Sequence, residues 1–228
     1  MRILALETSS STGSVAALDG DQVIANVDLG KAQRTAQSLA PTVQAILRRV
    51  NWEPRDVQLV AVTEGPGSFT GLRAGVTTAK VFAYATGASV VAVNTLEVIA
   101  AQSSMVSCNL WAVMDAQRQQ VFAAEFAVSD NGRPEPVIPT QIIDNDVWLE
   151  QLVTCNRVTG PGLSKLAKHL PHGVQVVSDA AWAPQAITLG HLAFLKHQSG
   201  ARTDFWTLAP QYFRKSAAEE KFDQGLLK

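Results

Sequence analysis

The sequence has few of the features that commonly assign a protein to a class. Its two cysteines, Cys108 and Cys155, lie far apart in the chain, so the pattern indicates neither a disulfide framework nor a zinc cluster, and we expect both thiols to be buried. No apolar run reaches the roughly 18 residues of a membrane span, so we expect a cytoplasmic protein without membrane association. The 19 basic and 20 acidic residues offer no broad basic surface for RNA.

Candidate metal ligands and catalytic pairs are also scarce. The four histidines are scattered, and the helical pair His191 and His197 misses the i, i+4 spacing that directs two ligands at one ion. Ser9, Ser10 and Ser68 have no base close to them in the sequence. The sequence therefore predicts no metal site, no cofactor site and no catalytic residue.

The first half of the chain is organised into alternating apolar strands and amphipathic helices. A three-stranded meander and two strand-helix units follow one another in the order βββαβαβα, which predicts one mixed sheet. The predicted strands are Arg2–Glu7, Ser14–Asp19, Gln22–Leu29, Val57–Thr63 and Ser89–Val93, and the predicted helices start near Gln37, Thr70 and Thr95.

The second half repeats this order more weakly, which indicates a structural duplication. We therefore predict an α/β protein of two lobes, residues 1–103 and 104–228. The second lobe is expected to contain strands at Leu110–Asp115, Gln120–Val128, Val137–Ile143, Arg157–Thr159 and Val174–Val177, a loop at Asn131–Pro136, and helices at Asp146–Val153, Leu163–Leu170 and Pro184–His197.

The glycine-rich stretch TEGPGSFTGLRAG, residues 63–75, stands between a predicted strand and a predicted helix. Gly65, Gly67 and Gly71 have a spacing one residue too long for the dinucleotide fingerprint, and no P-loop lysine follows. We expect Gly65 and Gly67 to shape a turn. We also expect Ser68 or Thr70 to cap the helix that follows. An anion site at Ser68–Thr70, with Arg73 one turn into the helix, remains the alternative.

Small residues recur every fourth position along the following helix, at Gly71, Gly75, Ala79 and Ala83. Such a stripe lets a second helix approach closely. That second helix could belong to the same lobe or to another chain, and the sequence alone does not choose. The candidate partner interface comprises Ser68, Phe69, Thr70, Gly71, Arg73, Gly75, Ala79 and Ala83.

Four segments carry a family resemblance. The segments ILALETSSSTGSVAAL, GPGSFTGLRAG, VNTLE and MDAQRQQVF resemble the TsaB (YeaZ) family, the partner protein in bacterial threonylcarbamoyl-adenosine modification of tRNA. The resemblance covers the first half closely and the second half loosely. It implies the two-lobed actin-like fold, a heterodimer with the transferase TsaD through first-lobe helices, association with the ATPase TsaE, and contact with tRNA only through the complex. A homodimer formed through the small-residue stripe is a further alternative when no partner is present.

The resemblance also implies which chemistry is missing. TsaD binds its metal through a pair of histidines at positions that correspond here to Thr95 and Ile99. Actin-like enzymes have an aspartate and a glycine in the first hairpin where this chain has Glu7 and Ser9, and we expect their adenosine loop to be a simple turn here, at 159–165. The chain thus resembles the non-catalytic partner. The alternative is an actin-like ATP-dependent kinase or transferase, or a peptidase, with its own active site.

Overall fold

The structure is a computed structural model that describes residues 1–30, 35–103, 109–128 and 133–214. The first sheet contains β1 (Arg2–Glu7), β2 (Ser14–Asp19), β3 (Gln22–Asp28), β4 (Leu59–Gly65) and β5 (Ser89–Asn94). The second contains β6 (Asn109–Gln117), β7 (Gln120–Val128), β8 (Pro134–Asp144), β9 (Arg157–Thr159) and β10 (Gln175–Val176). Their spatial orders, β3-β2-β1-β4-β5 and β8-β7-β6-β9-β10, are equivalent. The predicted duplication of one mixed sheet is therefore confirmed.

Pairing directions in the two sheets also match. The first three strands of each half pair antiparallel, and the next two add in parallel on the other side of the first strand. In β1 the side chains of Leu4 and Leu6 face one core and those of Ile3 and Ala5 face the other. A central strand that is buried on both faces requires an unbroken apolar run, which explains this sequence.

Within the described residues, six α-helices cover the sheets: α1 (Thr35–Arg49), α2 (Phe69–Thr86), α3 (Thr95–Gln102), α4 (Asn145–Gln151), α5 (Leu163–Leu166) and α6 (Ala186–Gln198). Helices α1 and α2 cover one face of the first sheet. Helix α3 is shared, because Val98 packs on the first sheet while Leu96 and Ile99 pack with the second. Helices α4 and α5 cover the other face of the second sheet.

Helix α6 departs from the lobe division that the sequence predicts. Although it follows the second sheet in the chain, its Leu189 and Leu192 are buried against Ile3 and Leu59 of the first sheet. The Ala186 amide at its start donates a hydrogen bond to Ser14 Oγ, 2.9 Å away. A boundary at residue 103 therefore separates the sheets but assigns α6 to the wrong lobe, since the first sheet has a second apolar face to cover.

Three smaller predictions also need correction. Pro134–Pro136, predicted as loop, begins β8, while Asn131 and Cys108 lie outside the described residues. Cys155, predicted as buried, is exposed. The helix predicted at Leu163–Leu170 is an α-helix only as far as Leu166 and continues as a 3-10 helix over Ala167–His169. Among the helices that the structure describes, none has both the length and the apolar composition for crossing a bilayer.

Candidate functional site

The glycine-rich loop is pressed against the loop that joins β1 and β2. The Ser68 amide donates a hydrogen bond to Ser9 O at 2.7 Å. Gly67 has φ of 155°, and a Cβ atom at that position would lie 2.4 Å from the same Ser9 oxygen. Gly65 has φ of 133°. Both glycines shape the turn, as predicted, because only glycine combines this conformation with so close an approach.

Ser68 begins α2 as its N-cap. Its Oγ accepts a hydrogen bond from the Gly71 amide at 3.3 Å, which satisfies one of the amide groups left free at a helix start. The predicted capping role is confirmed for Ser68. Thr70 lies inside the first turn and is exposed.

The small-residue stripe of α2 faces the interior of its own lobe. A Cβ atom at Gly71 would lie 2.0 Å from Thr8 O, and one at Gly75 would lie 2.2 Å from Thr8 Oγ1. Ala79 and Ala83 are also buried. Of the two alternatives that the sequence left open, close packing within the lobe accounts for the stripe. These four residues are therefore buried and do not belong to the surface. Small side chains at these positions let α2 lie close to the β1–β2 loop and to α1.

The opposite face of α2 is exposed and partly apolar. Val81 is 61% exposed and Tyr84 is 68% exposed. The Tyr84 ring makes an edge contact at 5.4 Å with Trp206, which is itself 67% exposed. Large apolar side chains with this exposure, grouped together, are typical of a surface that another molecule covers. This patch was not among the sequence predictions, although the spacing of Val81 and Tyr84 opposite the stripe indicates it.

Helices α1 and α2 carry positive charge. Neither α1 nor α2 contains an aspartate or a glutamate, whereas they contain Arg48, Arg49, Arg73 and Lys80. Lys80 Nζ donates to the carbonyl oxygens of Trp206 and Leu208, at 3.2 and 2.9 Å. Arg73 is exposed. On α2 itself the positive charges are thus Arg73 and Lys80. Asp204, whose Oδ1 accepts a hydrogen bond from the Trp206 amide at 2.9 Å, adds one carboxylate beside the patch.

The remaining candidate residues, Phe69 and Arg73, form a stack at the start of α2. The Arg73 guanidinium carbon lies 3.9 Å from the centroid of the Phe69 ring, and the Phe69 ring stacks on Tyr212 at 4.6 Å. Arg73 Nε donates to Tyr212 Oη at 2.8 Å. The guanidinium is therefore held in one orientation by contacts to both rings.

Glu7 is completely buried at the end of β1, and the polar β1–β2 loop folds over it. Its Oε1 accepts hydrogen bonds from the Ser9 amide, at 2.7 Å, and from the Ser9 hydroxyl, while Ser10 Oγ donates to Oε2 at 3.4 Å. Burial raises the pKa of the Glu7 carboxyl to about 7, and the hydrogen bonds from Ser9, Ser10 and Thr63 lower it only in part. The Ser9 and Ser10 hydroxyls therefore point inward to a carboxyl group.

A cleft of about 740 Å³ separates the two lobes. Its first-lobe wall includes 9–11, 66–69 and Leu72, and its second-lobe wall includes 114–117 and Pro161. Residues 211–214 also line it. On the second-lobe side Lys165 Nζ forms an ion pair with Asp115. Burial alone would raise the pKa of Asp115, but Lys165 and the Gln117 amide reverse this, so the pKa lies below its usual value.

The second-lobe loop at 159–165 is a closed turn, as predicted. The Gly162 amide donates to Val113 O at 3.1 Å, and the Ser164 and Lys165 amides donate to carbonyls within the loop. A Cβ atom at Gly160 would lie 2.3 Å from the Val113 oxygen. The amides that could surround a nucleotide are thus already bonded.

Thr95 and Ile99, at the positions where TsaD has its metal ligands, are both completely buried in α3. Ile99 belongs to the core between α3 and the second sheet. Within the described part of the chain, no group of three or more histidine, cysteine, aspartate or glutamate side chains is placed to hold a metal ion.

Known proteins resemble the chain in both sequence and fold. The family model described as TsaD, tRNA N6-adenosine threonylcarbamoyltransferase, matches residues 30–222. The tRNA threonylcarbamoyladenosine biosynthesis protein TsaB of Bacillus subtilis is 32% identical, over 97% of this chain and 98% of that protein. The TsaB protein of Escherichia coli is 34% identical over 134 residues, 58% of each chain.

A solved structure has the same fold. YeaZ from Pseudomonas aeruginosa superposes with a TM-score of 0.80, over 92% of this chain and 99% of that one, at 22% sequence identity. The fold is the two-lobed actin-like architecture that the resemblance implied, with two mixed sheets in the same strand order.

Proposed function

The chain carries a TsaD-like domain and belongs to the TsaB (YeaZ) family, and we propose that it is the non-catalytic partner of the transferase TsaD. It takes part in tRNA threonylcarbamoyladenosine biosynthesis. In the proposed complex, TsaD transfers the threonylcarbamoyl group to the adenosine next to the anticodon, TsaE supplies ATPase activity, and this chain meets tRNA only through its partners, in the cytoplasm.

The non-catalytic role rests on what fills the positions where actin-like enzymes do chemistry. Ser9 contributes its side chain to a hydrogen bond with Glu7, and Gly67 packs directly on the Ser9 backbone. Thr95 and Ile99 are core residues. The site positions are thus used for packing, which supports a scaffold over an enzyme.

The observation that carries the partner proposal is the exposed face of α2. Its apolar side chains and its basic neighbours fit a partner lobe with an apolar centre and acidic surroundings. A TsaD family model matches this chain, so TsaD is expected to have a lobe with equivalent helices, and two related lobes can pair about a pseudo-twofold axis. The candidate interface keeps Ser68, Phe69, Thr70 and Arg73 from the sequence prediction and adds Val81 and Tyr84 in place of the buried stripe.

The test is a charge placed in the exposed patch. Val81→Glu should weaken TsaD binding by about a hundredfold, because the carboxylate would be desolvated without a partner. Val153→Glu is the matched control, since Val153 is 62% exposed on the second lobe. Both variants should keep the wild-type Tm. Wild-type affinity of Val81→Glu in isothermal calorimetry would contradict the interface. Leucine at Gly75 or Ala79 is unsuitable as a test because it would disrupt the lobe itself.

Two further measurements separate the proposed role from its alternatives. The inter-lobe cleft, which both lobes line, is the feature that favours a kinase, a transferase or a peptidase with its own site. Calorimetric titration of the isolated chain with ATP and magnesium should give no stoichiometric binding, and tight binding would contradict the scaffold role. Light scattering with and without TsaD should show whether the α2 face makes a homodimer that the partner replaces.

A further inference from the structure

The last described residues of the chain leave the first lobe and cross to the second. Before the crossing, Leu208 is buried in the first-lobe core, and the Thr203 amide donates to Val90 O at 2.8 Å. The Gln211 amide then donates to Glu64 O at 2.7 Å, at the end of β4. Tyr212 stacks on Phe69, as described above. The segment is thus firmly attached on the first-lobe side of the cleft.

The next two residues contact the second lobe. The Phe213 ring makes an edge contact with Phe122 of β7 at 6.2 Å between centroids. Arg214 Nη2 donates to Gln120 Oε1, and Gln120 Nε2 in turn donates to Asp144 Oδ1 at 2.8 Å. Neighbouring side chains of one short segment therefore bind opposite walls of the same cleft.

From this arrangement we propose that Gln211–Arg214 form a clasp that holds the two lobes in one relative orientation. Other contacts between the lobes lie at helix α3, which packs against both sheets. At its two ends Asn94 Nδ2 donates to Thr140 Oγ1 at 3.0 Å, and Ser103 Oγ lies 2.8 Å from Thr159 Oγ1. A single packed helix permits the lobes to rotate about it, whereas a second attachment at the cleft prevents that rotation. Release of the clasp lets the cleft open and moves Phe69 and Arg73, the two residues that Tyr212 holds at the start of α2. The proposal goes beyond the partner role and does not depend on it.

The clasp can be tested by measuring the distance between the lobes in the full-length chain. The exposed thiol of Cys155 provides a spin-label site on the second lobe. An Arg55→Cys substitution provides one on the first, and Cys108→Ser removes the other thiol. Double electron-electron resonance then measures the distance between the two spin labels. The labelled protein is diluted with an excess of unlabelled protein, so that only distances within one molecule are detected. With the clasp unaltered, the distances between the two labels should form a single narrow distribution.

The double variant Tyr212→Ala/Phe213→Ala should broaden that distribution towards longer distances. Arg214→Ala should broaden it less, because it removes one contact and leaves both rings in place. Trp206→Ala is the matched control, because Trp206 belongs to the same segment but its ring contacts are with Tyr84 and Phe205. It should leave the distribution narrow.

Two results would overturn the clasp. One is an unchanged narrow distribution in the double variant with wild-type circular dichroism. The other is an equal broadening in the Trp206 control, which would mean that any loosening of the segment frees the lobes. If the double variant does not fold, Arg214→Ala decides between these outcomes, since a narrow distribution in that variant contradicts the proposal.

Discussion

The two lobes share one strand order, yet their sheets are covered very differently. The first sheet lies between long helices on both faces, with α1, α2 and α6 of 15, 18 and 13 residues. The second sheet has the shared α3 on one face and, on the other, α4 of seven residues and α5 of four. Two sheets with the same strand order can therefore be covered by helices to different extents. The first lobe is the thicker platform, and it carries the exposed helix face proposed to bind TsaD.

The largest difference between the lobes is helix α6, which follows the second sheet in the sequence but packs on the first sheet. Leu189→Ala should lower the free energy of unfolding by about 4 kcal/mol, because Leu189 is completely buried and its loss leaves a cavity. Leu195→Ala in the same helix should change it by less than about 0.5 kcal/mol, since Leu195 is 43% exposed. Urea denaturation checks both. Equal effects of the two substitutions would mean that α6 is not part of the first-lobe core.

The carboxyl groups at the first hairpin of each lobe provide a second contrast. The pKa of Glu7 is raised to about 7 in the folded state, so the folded chain holds this proton more tightly than the unfolded chain does. Its contribution to stability therefore falls as the pH rises from about 4.5 to about 7. Glu7→Gln should raise the free energy of unfolding by roughly 3 kcal/mol at pH 8 and have little effect near pH 4. An equal effect at both pH values would show that the carboxyl does not titrate in this range.

Asp115 in the second lobe should behave with the opposite sign. Its pKa is lowered, so its ion pair with Lys165 contributes stability above the unfolded pKa, and this contribution is lost as the pH falls through the folded pKa. Asp115→Asn should cost at most about 1 kcal/mol at pH 7, because both partners are solvent-exposed and screened. Urea denaturation of the wild type and the variant at pH 7 and at pH 3 measures this change in the free energy of unfolding. A loss of stability that is equal at the two pH values would rule out the ion pair as its cause.

The smallest expected effect concerns the turns. The β2–β3 turn of the first lobe places Gly20 at φ 62°, whereas the β6–β7 turn of the second lobe holds Gln117, Arg118 and Gln119 at positive φ. Gln119→Gly should raise the Tm slightly and stabilise the chain by about 0.5 kcal/mol. The substitution removes the strain of a left-handed backbone at a residue with a side chain, and the larger conformational entropy that glycine loses on folding offsets part of this gain. Gly20→Ala is the reverse change and should destabilise it. A lower Tm for Gln119→Gly would show that the turn is not strained.

The sequence predicted those features that depend on neighbouring residues. The strands Arg2–Glu7, Ser14–Asp19 and Arg157–Thr159 agree residue for residue, because apolar pattern and turn residues act locally. The capping by Ser68 and the turn at Gly67 were predicted for the same reason. The family resemblance then extended these local predictions to the fold.

What the sequence did not predict depends on packing between distant segments. A smooth helix face fits a neighbouring chain or the helix's own lobe equally well, so the direction of the Gly71–Ala83 stripe could not be deduced. The return of α6 to the first sheet and the exposure of Trp206 depend on contacts more than 90 residues away in sequence. The burial of Glu7 was hidden because a loop rich in hydroxyls is normally solvated, whereas here its hydroxyls turn inward.

The position of α6 also matters while the protein is being synthesised. The last strand of the first sheet ends at Asn94, but the helix that covers one of its faces begins only at Ala186. At bacterial and eukaryotic translation speeds the roughly ninety residues between them take about 5 to 20 s to be made. During that interval the nascent first lobe has an uncovered apolar face built around Ile3, Ala5 and Leu59. That face is covered only when the second lobe is almost complete, so the first lobe cannot reach its final stability before α6 has been made.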